Sequence, residues 1–345
     1  MAARILLHDN QLCERGTTTS MLDYGRALRE RGHDVEISYW RDSPANVPAV
    51  IGRVTSEFVV HAHTDRFKLD DAASSYDAGY FIKSGQDDGL VLAEGHSLVH
   101  AVFQVFEPHG SRYAYISRWL AESMRADVGA GGPTPEVMNR ALAAQETGCT
   151  NALQFEYLNL IVDTPSPQLG IRQQLGIPED AFVMLRFGGQ DTFDIGWAQQ
   201  TVVQMLDRHR DWYFVGLNTN RFTTHERALF LPMVMDPVEK ASIIAAADVF
   251  ITARGQGEAF GMAIAEALQI GTPVLAWNGG TDRNHVQMLD GLGALFRKPW
   301  DLRWRLRRLA AGKDPASVGA RQARGDEFRP SAVTPRLEAM LGLST

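Results

Sequence analysis

The chain has 345 residues, 45% of them hydrophobic and 22% charged, with a formal net charge of −7. That length predicts about two domains with ample core. The composition excludes disorder and collagen, no apolar run approaches the roughly 18 residues of a membrane span, and the acidic balance argues against a nucleic-acid partner.

Short apolar runs alternate with helical periodicity along the whole chain. In chain order, a strand is predicted at Arg4–His8, a loop at Asp9–Thr19, a helix at Ser20–Arg31 stopped by Gly32, and a second strand at Val35–Tyr39. This β-loop-α-β unit predicts a parallel sheet. Further strands are predicted at Phe58–His61, Tyr80–Lys83, Leu98–Phe103 and Tyr113–Ser117, a helix from near Arg118, and a loop at Gly129–Pro135. The proline-rich Thr164–Pro167 reads as a linker. A second α/β series follows, with strands at Phe182–Phe187, Tyr213–Leu217, Leu229–Val234, Val249–Thr252, Pro273–Trp277 and Ala294–Phe296. The expected architecture is α/β, with two Rossmann-like domains of parallel sheet facing across a cleft. Residues 1–162 form the first, 163–328 the second, and 329–345 a C-terminal helical segment for which a return to the first domain is one option. Cys13 and Cys149 are too few for a disulfide scaffold or a structural zinc site. The N-terminal apolar run is too short for a signal peptide, so a cytoplasmic protein is expected.

The segment richest in chemical information is Val249–Asn278. A strand ends at Ala253, a glycine-rich loop Arg254–Gly257 follows, then Glu258, then a helix predicted from about Phe260 to Ile270. A carboxylate beside a helix N-terminus, at the carboxyl end of a parallel strand, stands where doubly wound domains bind ligands. Glu266 follows eight residues later, about 12 Å along a continuous helix. That is too far for two carboxylates to share one bond, but suits the two ends of an elongated ligand with a phosphate seated between them. A dinucleotide motif (Gly255, Gly257, Gly261) is the competing reading. It is weakened because Glu258 would face a pyrophosphate and because no acidic residue ends the next strand. The plain alternative is an amphipathic helix with two solvated glutamates.

In this context the run Glu258-Ala-Phe-Gly-Met-Ala-Ile-Ala-Glu266-Ala resembles the hallmark of the family 4 type of GT-B glycosyltransferases, E-x-F-G-x-x-x-x-E-A. Gly271-Thr-Pro-Val, Gly279-Gly280 and Leu28-Arg-Glu-Arg-Gly-His-Asp-Val35 also match. A narrower branch is similar through Arg15-Gly-Thr17, the run from Gly188 to Ile195, Leu217-Asn-Thr-Asn220 and the run from Ala253 to Gly261. The resemblance implies a retaining transferase using a UDP- or GDP-sugar and a small-molecule or glycan acceptor, without cofactor or metal. It implies that Glu258 holds hydroxyls of the donor sugar, that Ala259, Phe260 and Gly261 offer backbone N–H groups, and that Glu266 binds ribose. It places Gly16 and Thr17 on the diphosphate, Asn218 and Val234 near the base, and His100 beside the reacting sugar. A sugar-nucleotide epimerase and a non-catalytic sugar-nucleotide binder are the other functions compatible with this architecture.

One departure stands out. Relatives carry an Arg and a Lys for the diphosphate after the first strand of the second domain. Here Arg186 can stand for the Arg, but the Lys position falls on Asp194 or Ile195. Arg254, at the mouth of the motif loop, is the candidate replacement, with a surface salt bridge as its plain alternative. His61 and His63 share a strand face, but two ligands make a poor metal site, and no D-x-D triad occurs. The basic run Arg297–Lys313, with Trp300 and Trp304 on one face, reads as a packed helix with a solvated arginine face in preference to a membrane-surface helix.

Overall fold

The structure, a computed structural model, describes residues 2–69, 76–129 and 134–343. The apolar runs become strands buried on both faces, as parallel sheets covered by helices require. The first sheet comprises β1 (Arg4–Asp9), β2 (Asp34–Trp40), β3 (Val59–His63), β4 (Ala78–Lys83), β5 (His96–Ala101), β6 (Arg112–Tyr115) and β7 (Glu156–Tyr157). All pairings are parallel, in the order β3-β2-β1-β4-β5-β6-β7. Ile5, Leu6 and Leu7 of β1, together with Phe81 and Leu98, are sealed in its core.

The second series provides β8 (Phe182–Phe187), β9 (Trp212–Leu217), β10 (Ala228–Leu231), β11 (Val249–Thr252), β12 (Gly257–Glu258), β13 (Val274–Trp277), β14 (Asp282–Arg283) and β15 (Leu295–Phe296). Six of these form a parallel sheet in the order β10-β9-β8-β11-β13-β15, and β12 pairs with β14 separately. Met184, Phe214, Ile251 and Phe296 centre its core.

The chain divides into two compact units, residues 1–162 with 328–345, and residues 163–327. The C-terminal helix Pro330–Met340 is held in the first unit. Arg31 Nε lies 2.6 Å and His33 Nε2 3.0 Å from Glu338 Oε1, and Val162 N–H donates to Phe328 C=O.

In each main sheet the strand order reverses once, between β1 and β4 and between β8 and β11. Crevices outside the carboxyl ends at such switch points are where doubly wound sheets bind ligands.

Several boundaries differ from the sequence expectation. The first helix runs Gly16–Glu30, so Gly16 and Thr17 are its first residues and not part of a loop. Leu231 ends β10, which leaves Val234 in irregular chain beyond it. The motif helix is Met262–Ile270, because Gly261 adopts φ +100°, a left-handed conformation outside any helix. Of the loop predicted at Gly129–Pro135, residues 130–133 lie outside the described residues; Thr134 caps the helix Pro135–Glu146 through a hydrogen bond from Val137 N–H.

Candidate donor site

At the switch point of the second unit, β8 ends in Arg186-Phe187. Arg186 is 1% exposed, with its guanidinium 5.8 Å from the Phe193 ring centroid. Its Nη2 donates to Thr192 Oγ1 at 2.5 Å, Nε has no hydrogen-bond partner, and the guanidinium forms no ion pair among the described residues. Burial pushes its pKa down to about 10, against the pull of the Glu258 and Asp194 carboxylates. A side chain this large fits because the next turn is stripped back. A Cβ on Gly188, at φ +137°, would lie 2.7 Å from Nη1. Asn218, itself at φ +47°, fixes that turn by donating from Nδ2 to Gly188 C=O at 2.8 Å.

The neighbouring β11 leads into Ala253-Arg254 and the motif loop. Glu258 stands in β12, in register with Arg283 of β14, and not on the helix. The 12 Å spacing expected along a continuous helix therefore does not describe the pair Glu258 and Glu266. Two glycines permit the β12–β14 approach. A Cβ on Gly257 (φ +81°) would fall 1.9 Å from Asp282 C=O, and one on Gly280 (φ +98°) 2.5 Å from Gly257 N. Side chains distant in sequence clamp the loop: Gly255 N–H donates to Asp194 Oδ1 at 2.7 Å, and Asn284 Nδ2 donates to Phe260 C=O at 2.7 Å. Asp194 thus serves as a loop anchor.

Arg254 Nη1 lies 3.1 Å from Glu258 Oε2, and both side chains keep partial access to solvent. Burial raises the Glu258 pKa, and Arg254 and Arg186 oppose that rise. Two guanidiniums, Glu258 and Asp194 are therefore electrostatically coupled around one loop. The following helix, Met262–Ile270, begins after the left-handed Gly261 and carries no acidic residue in its first turn, so its positive dipole end faces the motif loop. Glu266, one turn in, is paired with Lys240 Nζ at 2.5 Å from the helix Pro237–Ala245. Phe260 is buried, and Ala259 and Gly261 complete the turn into the helix.

Of the other expected site residues, Gly16, Thr17 and His100 belong to the first unit and Val234 to the second. Gly16 and Thr17 start a helix in the first unit, near the carboxyl end of β1, whose Asp9 accepts from Thr18 Oγ1 at 3.0 Å. His100, in β5, is fully buried. Its Nε2 meets Leu158 C=O at 2.9 Å and its Nδ1 the Tyr80 hydroxyl at 2.7 Å. A carbonyl only accepts, so Nε2 carries the proton and Nδ1 accepts from Tyr80. Burial lowers the His100 pKa to about 4, which keeps the ring neutral at neutral pH. Val234 is half-buried beyond β10. Among the described residues no cluster of three or more His, Cys, Asp or Glu is placed to hold a metal, and no helix is long and apolar enough to cross a membrane. His61 Nε2 contacts Glu36 Oε2 at 2.5 Å, and His63 Nδ1 lies 2.7 Å from Asp65 C=O. Asp194, Lys240 and Asn284 were missed as site residues, because each acts on a partner at least 24 residues away.

No protein-family profile and no curated protein matches the chain. Solved structures do. HepE from Anabaena, crystallised with UDP and glucose, superposes with a TM-score of 0.70 at 16% identity over 99% of both chains. A glycosyltransferase from Rickettsia africae gives 0.68 at 12% identity, covering 99% of this chain and 98% of that one. The spinosyn forosaminyltransferase SpnP gives 0.62 at 13% identity, covering 99% and 100%. The fold is GT-B.

Proposed function

We propose that the chain is a retaining, metal-independent glycosyltransferase that moves a sugar from a UDP- or GDP-sugar to a small-molecule or glycan acceptor. The supporting observation is the convergence at the β8/β11 switch point of a buried Arg186 without an ion pair, the Arg254–Glu258 pair and the N-terminus of the helix Met262–Ile270. That HepE was crystallised with UDP-glucose agrees with a nucleotide-sugar donor. In this reading residues 163–327 take the donor and the first unit takes the acceptor. The diphosphate lies over the start of the helix Met262–Ile270, where N–H groups and the dipole favour negative charge. Arg186 offers it N–H donors through Nε, and Glu258 exchanges Arg254 for hydroxyls of the sugar, releasing a second guanidinium to the leaving phosphate. Glu266 holds the ribose while Lys240 orients its carboxylate. Ala259, Phe260 and Gly261 shape the turn around the sugar. Asn218 acts by positioning the Gly188 turn, and Gly16 and Thr17 serve the first-unit side. The acceptor attacks on the face from which the diphosphate leaves, so stabilising that leaving group is the principal catalytic task. A cytoplasmic location remains part of the proposal.

Incubating the protein with a panel of UDP- and GDP-sugars tests the reading. Transfer or slow donor hydrolysis supports it, an epimerised donor would make the chain an epimerase, and binding without turnover would make it a binding protein. Glu258→Gln is expected to cut turnover at least 100-fold with nucleotide affinity nearly unchanged, as loss of one preorganised polar group can do. Activity is expected to survive EDTA; loss restored by manganese or magnesium would show that the diphosphate needs a metal.

A further inference from the structure

The sequence alone favours a packed helix for the tryptophan-bearing basic run, but neither indole is packed away. In the helix Pro299–Ala310, Leu302 and Leu306 are buried, whereas Trp300 is 62% and Trp304 49% exposed. Residues four apart share a helix face, so Trp300, Trp304 and Arg308 form one stripe with Arg307 beside it. Arg297 and Lys298 precede the stripe and Lys313 follows it, all three exposed. The helix carries one carboxylate, Asp301, which is taken by Arg305 Nε at 2.9 Å and by the Arg297 N–H at 2.9 Å. Arg297, Lys298, Arg307, Arg308 and Lys313 form no ion pair among the described residues. The Arg308 guanidinium instead lies 4.9 Å from the Trp304 ring centroid.

Beside this stripe a cavity of about 300 Å³ opens, walled by Leu268, Leu275, Leu292 and Leu309 and rimmed by Trp304, Arg308 and Lys313. Asp314, the carboxylate at its edge, is paired with Arg321 at 2.6 Å. Exposed indoles, cations without carboxylate partners and an adjoining apolar recess together match the boundary between anionic headgroups and acyl chains. The chain as a whole carries −7, so this local excess of cations runs against its overall charge.

We propose that the face formed by the helix Pro299–Ala310 docks on an anionic lipid bilayer. The two indoles sit at headgroup level, Arg307, Arg308 and the flanking cations meet the negative surface, and the cavity beside Trp304 accommodates part of a lipid tail. A nucleic acid would also attract the cations, but it offers no apolar phase for Trp304 and the leucine-lined recess. The proposal does not depend on the catalytic reading.

The test is co-sedimentation of the full chain with phosphatidylcholine vesicles, and with vesicles in which about a third of the lipid is phosphatidylglycerol, at low and high salt. Binding to the anionic vesicles is expected to exceed binding to the neutral ones at least tenfold and to fall with salt. Trp300→Ser with Trp304→Ser, and separately Arg307→Glu with Arg308→Glu, should each reduce it tenfold or more while leaving donor turnover unchanged. If the tryptophan variant fails to fold, the charge-reversal variant, altered only at exposed positions, decides. Equal binding to both vesicle types, no binding, or full binding by the charge-reversal variant would overturn the proposal. So would tighter retention on a single-stranded RNA than on anionic vesicles.

Discussion

Arg186 is the residue at which stability and proposed function pull in opposite directions. A guanidinium 1% exposed, with Nε unpartnered and no ion pair among the described residues, costs free energy to bury. The pKa lowered to about 10 is the same cost seen as a proton equilibrium. An apolar side chain of similar volume at this position removes that burial cost. Arg186→Met is therefore expected to leave the melting temperature unchanged or raise it, while lowering donor turnover about 100-fold or more. Thermal denaturation and a donor-hydrolysis assay read the two effects separately. A variant that melts much lower would show that Arg186 is there for the fold, its Thr192 hydrogen bond and Phe193 contact outweighing the burial cost. Arg254 differs because its charge is already matched by Glu258 at 3.1 Å, so its loss would take that ion pair from the Glu258 carboxylate.

The motif loop is a short parallel pairing, β12 with β14, and its geometry depends on backbones that approach more closely than any side chain allows. Gly280→Ala would put a methyl 2.5 Å from Gly257 N at a φ of +98°. The strain of such a conformation is about 1–3 kcal/mol, and it falls on the residue pair beside Glu258. Reduced stability of the second unit together with reduced turnover is expected; unchanged values for both would mean that the loop tolerates the shift. Asn284→Ala should cost about 0.5–1.5 kcal/mol by removing its hydrogen bond to the Phe260 carbonyl. This loop also shows what sequence can carry. Strands such as β4 and β8 are continuous apolar runs buried on both faces, and their pattern announces them. A two-residue strand has no period, so β12 and β14 were invisible, and with them the displacement of Glu258 from the helix. The helix start was placed about two residues early because Phe260 fits an apolar face, whereas the left-handed Gly261 that ends the loop leaves no mark in a periodicity. The residue types of the site, Arg186, Arg254 and Glu258, were legible from their places at strand ends. Their clamps, Asp194 on Gly255 and Asn284 on Phe260, were not, since pairing across a fold has no local signature.

At the scale of the whole molecule, acid should act first on the unit formed by residues 1–162 and 328–345. Burial lowers the pKa of His8 to about 3 and of His100 to about 4, and it also lowers His96 and His109. In the unfolded chain these rings titrate near 6.5. Between about pH 6.5 and 4 the unfolded state therefore binds protons that the folded state refuses, so stability falls as pH falls. Asp9 works the other way: burial raises it to about 6, so the folded state gains a proton there before the unfolded chain does, which adds stability as pH falls toward 4. His8 and His100 against Asp9 leave a net difference of about one proton, or about 1.4 kcal/mol of lost stability per pH unit, and His96 and His109 add to it. Below about pH 4.3 Glu36 joins the loss. Its burial would raise it, but hydrogen bonds from Tyr76, His61 and Arg4 hold it at about 2, so its contribution is present at neutral pH and disappears as pH falls through that value. Denaturant titrations of this unit at half-unit steps from pH 7 to 4 should show midpoints that decline from about 6.5 downward and decline faster below about 4.5. His100→Gln should start less stable at pH 7, having lost part of the contact between Tyr80 and Leu158, yet show a slope about one proton shallower. A midpoint that holds steady or rises from pH 6.5 to 4.5 would mean that the buried imidazoles find water or a counter-charge on acidification, and that the seal around His8 and His100 opens before the unit unfolds.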